Sequence, residues 1–308
     1  MTSPTNDDAL GPRLQKIETR LAQMQATIDA RLGQMQAQIE RRLAQLQHAD
    51  TIYLGEHEAL TRLHTGHRIY VDTRDVGICS HLMLEGRWEP WIETGLASAV
   101  KPGMRFCDVG ANFGYYTLLG AQWVGEAGRV FSFEANPEIL KKLRKSVLVN
   151  GFGNTVSLFG NAVYSDRRTL DLVFSFEFSG GGSTFGGDAR SPWAAHRAEV
   201  EAAPLDDLLA DVPDVQVMKI DVEGAEPHVI RGARRLIERS RTLTLVIEFH
   251  ETSVAQVVSP RAYLESFVKD GFSIALLEPA GITDTLTAEA CLTTLGGRLG
   301  YLFLTRAG

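Results

Sequence analysis

A strand-like run, a glycine turn and a helix-compatible run follow one another at residues 104–121. The turn reads DVGANFG and spans residues 108–114. A glycine turn here lets a ligand approach the backbone, and the first free N–H groups of the helix point towards that ligand. Glu134 follows the next strand-like run, where a doubly wound fold places the carboxylate that binds the hydroxyl groups of a ribose. The pattern predicts a nucleoside site.

The residues of this turn indicate which of two classes of nucleotide ligand the site binds. A dinucleotide fingerprint has glycines that let the backbone approach a pyrophosphate. Here Asn112 stands in place of the second glycine, and Asp108 precedes the turn. A carboxylate at that place repels phosphate but attracts an ammonium group. S-adenosylmethionine, which carries a ribose and an amino-acid tail, fits this turn together with Glu134. The alternative for both acids is stabilisation of a helix end or a turn.

Four stretches of the chain resemble the FkbM-type family of S-adenosylmethionine-dependent methyltransferases. They read DVGANFGYYT, FEANP, KIDVEGAE and VIEFH, and they begin at residues 108, 133, 219 and 246. The resemblance covers about residues 65–305. It implies a class I methyltransferase fold, which is a doubly wound, Rossmann-like α/β fold with a mostly parallel seven-stranded sheet and an antiparallel last strand. It also implies O-methylation of a hydroxyl on a sugar, a glycolipid or glycan, or another natural product.

The resemblance also implies which residues bind the cofactor. Glu134 would bind the ribose hydroxyls, and Asn161, after the third predicted strand, would lie near the adenine. A simple turn asparagine is the alternative for Asn161. The methionine end would be held by four residues of the first turn: Asp108, Gly110, Asn112 and Gly114.

Methyl transfer to an alcohol needs a group that takes the hydroxyl proton, because an alcohol is a poor nucleophile at neutral pH. Four candidates follow the fourth and fifth predicted strands, where ligands of open α/β sheets bind: Asp221, Glu223, Glu248 and His250. His250 is the natural base, since an unperturbed imidazole has a pKa of about 6.5. Asp221 and Glu248 either orient it or together bind a divalent metal ion. Loop-fixing hydrogen bonds are the alternative for Asp221 and Glu223, and a structural role is the alternative for His250.

Strands and helices alternate in the methyltransferase domain, residues 101–308, and this predicts a mostly parallel α/β sheet. The predicted strands are 104–109, 129–134, 155–159, 214–220, 242–249, 272–277 and 300–305. The predicted helices are 114–124, 137–150, 205–210, 227–239 and 260–269. Residues 51–100 are expected to form a β/α linker with strands at 67–72 and 78–84 and a helix at 91–100. The glycine-rich insert at 179–188 is either a mobile lid over the acceptor or a plain surface loop.

An eleven-residue repeat precedes the linker, and it lies outside the family resemblance. Apolar residues recur at 17, 21, 24, 28, 32, 35, 39, 43 and 46, with spacings of three or four. This predicts one stripe on a long coiled-coil helix over residues 13–50, nearly straight or weakly right-handed. So narrow a stripe indicates self-association, because the helix cannot bury it alone. A helix folded back on its own domain is the alternative. Residues 1–12 are expected to be disordered.

The charge, apolar content and cysteine count of the chain limit which kinds of binding partner and which cell compartment are expected. The formal net charge of −7 argues against a nucleic-acid backbone as the main partner. The chain has no apolar run of about 18 residues for a membrane span and no apolar segment near its N-terminus for a signal peptide. Three widely spaced cysteines indicate no disulfide framework and favour the cytoplasm. The expected function is O-methylation of a hydroxylated small molecule or glycan; the alternative is a non-catalytic coiled-coil scaffold that retains the fold.

Overall fold

The computed structural model describes residues 10–46, 50–180, 184–185 and 196–308. The chain divides into two units, residues 1–49 and 50–308. The first unit contains the helix α1, Leu10–Leu46. It begins inside the segment predicted to be disordered, whose residues 1–9 lie outside the described part. In the described parts of the chain, no helix is long and apolar enough to cross a membrane.

The second unit holds fifteen described strands and ten described α-helices. The strands are β1 Ile52–Gly55, β2 Glu58–Arg62, β3 Arg68–Asp72, β4 Arg105–Val109, β5 Arg129–Phe133, β6 Val156–Phe159, β7 Ala162–Val163, β8 Arg168–Phe174, β9 Thr184–Phe185, β10 His196–Ala203, β11 Val217–Ile220, β12 Leu243–Phe249, β13 Ser273–Glu278, β14 Gly281–Ile282 and β15 Gly300–Arg306. The helices are α2 Ile78–Glu85, α3 Pro90–Ala99, α4 Tyr115–Val124, α5 Pro137–Val149, α6 Leu205–Leu208, α7 Glu226–Gly232, α8 Arg234–Arg239, α9 Glu251–Ala255, α10 Pro260–Lys269 and α11 Ala288–Leu295.

The main sheet has the order β14-β13-β15-β12-β11-β4-β5-β6. The strands from β12 to β6 pair in parallel, and β15 is antiparallel to both of its neighbours. This confirms the predicted class I methyltransferase fold, including the reversed last strand. The sheet has eight strands rather than seven, because the two-residue strand β14 adds an edge that is too short to leave a sequence pattern.

Alternate residues of the central strands face two hydrophobic cores, as the two-residue period of a strand requires. Cys107 and Val109 belong to one core, whereas Phe106 of the same strand belongs to the other. The first core includes side chains from α7, α8, α10 and α11, and the second includes side chains from α2 to α5. The central strands are therefore covered on both faces, which leaves their carboxyl ends as the edge where functional side chains can lie.

The predicted strands of the main sheet all exist, but other regions differ from the sequence prediction. The single helix predicted at 227–239 is divided into α7 and α8, and α11 was not predicted. The predicted strand at 78–84 is the helix α2, because its buried residues Ile78, Cys79 and Leu82 have helical spacing. The strands β8 and β10, which follow β6 and precede β11 along the chain, were not predicted. They pair in an antiparallel direction, with His196 opposite Phe174, in a separate sheet of the order β7-β10-β8-β9. The predicted linker adds a three-stranded antiparallel sheet, β1-β2-β3, to the second unit.

Candidate active site

A cavity of about 360 Å³ lies at the carboxyl ends of β4, β5, β11 and β12. This is the edge at which open α/β sheets bind their ligands. The lining includes seven of the ten residues predicted from the sequence to form the site: Gly110, Asn112, Glu134, Asn161, Asp221, Glu223 and Glu248. Asp108, Gly114 and His250 are not among the lining residues.

The turn after β4 is pressed against the end of β11. Gly110 has a φ of +80°, and a Cβ atom at this position would overlap the backbone oxygen of Asp221. The N–H of Asp221 in turn donates to the carbonyl of Val109 over 3.1 Å. Only glycine fits here, so the sequence of the turn fixes how closely the two strand ends approach each other.

Glu134 joins the turns that follow β4 and β5. Its Oε2 accepts a 2.8 Å hydrogen bond from the N–H of Asn112, and its Oε1 accepts one of 2.8 Å from the N–H of Asn136. Burial raises the pKa of this carboxyl to about 7, although the two backbone hydrogen bonds favour its charged form. The carboxylate lines the cavity and still has acceptor capacity, so it is suited to bind a vicinal diol.

Asp108 lies behind the turn and is fully buried. Its Oδ2 accepts a 2.6 Å hydrogen bond from Thr117, whereas its Oδ1 is buried without a hydrogen-bond partner among the described residues. Burial raises the pKa of Asp108, and the nearby Lys219 ammonium opposes that shift. An unpaired buried carboxylate oxygen is costly, and an ammonium group would satisfy it. Gly114 is the N-cap residue of α4 with a φ of 98°, so it shapes the turn from behind the cavity.

A second cluster of polar side chains surrounds Asp221 in the cavity. The Lys219 ammonium donates to Asp221 Oδ2 over 3.0 Å, and the Tyr301 hydroxyl donates to the same oxygen over 3.2 Å. The Glu89 carboxylate accepts weaker hydrogen bonds of 3.4 Å from Tyr116 and Tyr301. Burial and the charge of Asp221 raise the pKa of Glu89 to about 7. Burial alone would lower the pKa of Lys219, but Asp221 and Asp108 raise it, so the lysine stays charged.

Glu248 lies beside this group, since it is paired with Tyr301 across β12 and β15. Burial and then the charges of Asp221 and Glu223 raise the pKa of Glu248 far above its usual range. The raised pKa favours the neutral form of the carboxyl, which has a proton to donate towards the cavity that Glu248 lines. Glu223, on the loop after β11, has a φ of +55°, a strained conformation for a residue other than glycine.

The other predicted residues have structural partners. The ring nitrogen Nδ1 of His250 lies 3.1 Å from Ser253 Oγ, and His250 is the N-cap residue of α9. Asn161 lines the cavity, and its amide nitrogen donates to the carbonyl of Glu201 over 3.5 Å. Glu226, which was not among the predicted site residues, accepts hydrogen bonds of 3.0 and 3.1 Å from the N–H groups of Val222 and Gly224, so it fixes the loop before α7.

The match to a known family decides what this cavity binds. The family model described as the methyltransferase FkbM domain matches residues 108–273. The chain belongs to the FkbM methyltransferase family. S-adenosylmethionine is therefore the cofactor of this domain. The lining fits it, because Glu134 offers a carboxylate to the ribose and the glycine turn allows close approach to the backbone.

Two solved methyltransferase structures and one curated sequence resemble this FkbM-family chain at low identity. The chain is 28% identical to the protein-L-isoaspartate O-methyltransferase of Methanothrix thermoacetophila over 76 residues. The matched segment is 24% of this chain and spans 36% of that relative's length. A solved structure of methyltransferase FkbM from Methylobacillus flagellatus KT has 16% identity and a TM-score of 0.42, with 72% of this chain and 52% of that chain covered. A solved structure of precorrin-6y C5,15-methyltransferase from Geobacter metallireducens GS-15 has 12% identity and a TM-score of 0.41. The match covers 71% of this chain and 88% of that chain.

Part of the glycine-rich insert of this FkbM-family chain reaches the cavity. Ser179 and Gly180 line it, and the N–H of Ser179 donates to Asp75 Oδ2 over 2.8 Å. The carbonyl of Ser179 accepts a 3.5 Å hydrogen bond from the amide of Asn112. Residues 184–185 form β9, and residues 181–183 and 186–188 lie outside the described part of the chain.

Sequence reasoning missed three polar residues of the site: Glu89, Lys219 and Tyr301. Lys219 lies in the KIDVEGAE stretch, and its place at the end of a buried strand was a signal. Glu89 and Tyr301 lie outside the matched residues 108–273, and no local motif marks them. In the described ranges there is no group of three or more His, Cys, Asp or Glu residues placed to hold a metal ion.

Proposed function

We propose that this chain is an S-adenosylmethionine-dependent O-methyltransferase that acts on a hydroxyl of a sugar, a glycan or glycolipid, or another natural product. One observation carries this proposal: the cofactor turn and an acid–tyrosine group open into the same cavity. The cavity is lined by Gly110 and Glu134 and also by Glu89, Asp221 and Tyr301. A cofactor and a hydroxylated acceptor therefore have adjoining places, as an in-line transfer needs.

The bound cofactor supplies an electrophilic methyl group, so the residues of this chain need only orient the acceptor and take one proton. Glu89 is suited to take it, because its pKa of about 7 lies near the working pH and its hydrogen bonds of 3.4 Å are weak. Asp221 is held by Lys219 and Tyr301 and is suited to fix the acceptor hydroxyl. His250, the base predicted from the sequence, stays an alternative that needs a path to the cavity it does not line.

The walls of the cavity support an acceptor with an apolar face. Hydrophobic side chains outnumber polar ones in the described lining of the cavity, and they include Ile78, Leu82, Trp88, Phe178 and Leu299. Even with Glu248 neutral, three acids of the described lining outnumber its one cation, Lys219; they are Glu89, Asp221 and Glu223. An anionic group beside the reacting hydroxyl would be repelled, so a neutral or cationic acceptor fits best.

Calorimetry with S-adenosylhomocysteine tests the cofactor site. The wild-type protein should bind it with a micromolar dissociation constant, and Glu134→Ala should abolish the heat. Glu138→Ala is the matched control, because Glu138 lies near Glu134 and its side chain pairs with the exposed Lys141. Equal binding by wild type and Glu134→Ala would remove Glu134 from the site.

Uptake of labelled methyl groups by a panel of glycan and natural-product hydroxyls then tests the acceptor class, and any turnover excludes the scaffold alternative. Activity that resists chelators would exclude the metal variant.

We also propose that copies of the chain associate through α1 and that the protein acts in the cytoplasm. The stripe residues Leu21, Met24, Ile28, Leu32 and Met35 are between 48% and 61% exposed within the first unit. Deletion of residues 1–50 should lower the mass measured by sedimentation, and an unchanged mass would locate the interface elsewhere. The cytoplasmic location is supported by three cysteines that are free and buried.

A further inference from the structure

The helix α1 carries opposite charges on the two flanks of its apolar stripe. Successive residues of an α-helix are rotated by about 100°. With Ile28 at the centre of the stripe, Asp29 lies about 100° to one side and Arg31 about 60° to the other. Arg20 lies on the same flank as Arg31, about one repeat earlier. These two sides are called the acidic flank and the arginine flank.

The eleven-residue repeat copies this asymmetry along the helix. An acid follows each isoleucine of the stripe, at positions 18, 29 and 40, and an arginine precedes three of its leucines, at positions 20, 31 and 42. No acid recurs at the arginine positions. In the part of the helix whose side chains are described, the stripe and both flanks are exposed. The surface is therefore a repeated apolar seam with a constant charge difference across it.

Two arrangements of neighbouring copies bring different flanks together. When helices run in the same direction around a symmetry axis, the left flank of one faces the right flank of the next. The acidic flank then faces the arginine flank. When two helices run in opposite directions, each flank faces its own equivalent, so arginine meets arginine and acid meets acid. Like charges that face each other are unfavourable, and this selects against the second arrangement.

The register follows from the same positions. Asp29 and Arg31 are two residues apart, which is about 3 Å along the helix axis. In an unshifted parallel pair, each arginine therefore lies nearly level with the acid of the partner copy. The stripe agrees with this register, because isoleucine meets isoleucine, leucine meets leucine, and the positions 24 and 35 bring methionine against methionine.

We propose that α1 is a docking surface for further copies of this chain, which bind parallel and in register with Arg20 and Arg31 facing the acidic flank of the neighbour. The inference rests on the proposed self-association and adds its direction and register. It makes the N-terminal segment a device that brings several methyltransferase units into one assembly.

Disulfide cross-linking of the full chain tests the direction. Leu21→Cys and Met35→Cys are introduced singly, and each protein is equilibrated with oxidised and reduced glutathione. In the parallel register each variant faces its own equivalent, so both should form interchain disulfides as the main product. Ala26→Cys, on the opposite side of the helix, is the matched control and should associate but form few interchain disulfides. The native cysteines are buried and should not interfere.

Sedimentation of the same proteins tests self-association separately from the parallel register. A wild-type chain that stays monomeric would contradict self-association itself. An associated chain in which Leu21→Cys or Met35→Cys fails to cross-link would overturn only the parallel register, because a single antiparallel register cannot place both positions opposite themselves.

A charge swap tests the flanks. Arg31→Asp should raise the dissociation constant about tenfold, because the introduced carboxylate then faces Asp29 of the neighbour. The addition of Asp29→Arg to that variant should restore the affinity and its dependence on salt. A double variant as weak as the single one would show that the flanks do not meet, and would overturn the proposal.

Discussion

The backbone N–H of Asn112 donates a 2.8 Å hydrogen bond to Glu134 Oε2, so the Glu134 carboxylate and the glycine turn are one unit. Asn112 has a φ of +52°, which turns its N–H towards Glu134. A second bond from the N–H of Asn136 fixes the other oxygen. The carboxylate is thus oriented before the cofactor binds, and this lowers the entropy lost on binding.

Glu134→Gln should weaken S-adenosylhomocysteine binding about 30-fold or more, even though the side chain keeps its size. A glutamine amide has one acceptor oxygen, so either the N–H of Asn112 or that of Asn136 loses its partner, at about 1–3 kcal/mol. Calorimetry measures the affinity, and urea unfolding measures the accompanying loss of stability. An unchanged affinity would show that the two turns orient the ligand without this carboxylate.

The glycine turn and the carboxylate beside it were predictable from the sequence, whereas two residues around Asp221 were not. Gly110, Asn112 and Glu134 belong to local strand–turn–helix patterns whose geometry is decided within a few residues. Glu89 and Tyr301 come from distant parts of the chain and meet Asp221 only because β15 inserts between β12 and β13 and because α3 packs beside β13. Their sequence neighbourhoods carry no periodic or motif signal, so only the tertiary fold identifies them.

Helix and strand types were predictable where the apolar period was clear, and they failed where the apolar run was short. The strands of the main sheet are nearly continuous apolar runs and were placed within a few residues. The run at 78–84 fits either a strand or a helix, and the helix forms because Ile78, Cys79 and Leu82 then share one buried face. The pair β8 and β10 is half-exposed, so its sequence is mixed and gave no warning.

Gly110→Ala should destabilise the protein by about 3 kcal/mol or more and abolish cofactor binding. The new Cβ would overlap the backbone oxygen of Asp221, and the residue would also keep a φ of +80°. Gly103→Ala is the matched control: its φ is +83° but nothing lies within 4 Å of the added Cβ. It should cost only about 1 kcal/mol. Urea unfolding compares the two, and equal losses would show that strain, not the clash, dominates.

Glu89→Gln should lower kcat about 100-fold or more with an acceptor found by the screen, and leave S-adenosylhomocysteine binding unchanged. In the wild type, turnover should rise as the pH passes through about 7, because the base must lose its proton. The variant should lack this rise. Glu85→Gln, an exposed residue of α2, is the control. If His250→Ala instead removes turnover and Glu89→Gln does not, the base is the histidine predicted from the sequence.

Glu248→Gln should make the protein more stable above neutral pH, by about 1–2 kcal/mol. The pKa of this carboxyl is 4.5 without perturbation and is raised well above that value in the folded protein by burial and by Asp221 and Glu223. Below pH 4.5 both states hold the proton, and the group has no effect on stability. As the pH rises from 4.5 towards the folded value, the unfolded state binds fewer protons than the folded state, so stability falls.

Urea unfolding from about pH 5 to about pH 9 measures this dependence in both proteins. The wild type should lose stability across the range, and Glu248→Gln should lose less, because an amide has no proton to release. Glu265→Gln, an exposed residue of α10, is the control and should follow the wild type. Parallel curves for wild type and Glu248→Gln would mean that the carboxyl is ionised in the folded protein. Its proposed role as a neutral hydrogen-bond donor in the cavity would then be wrong.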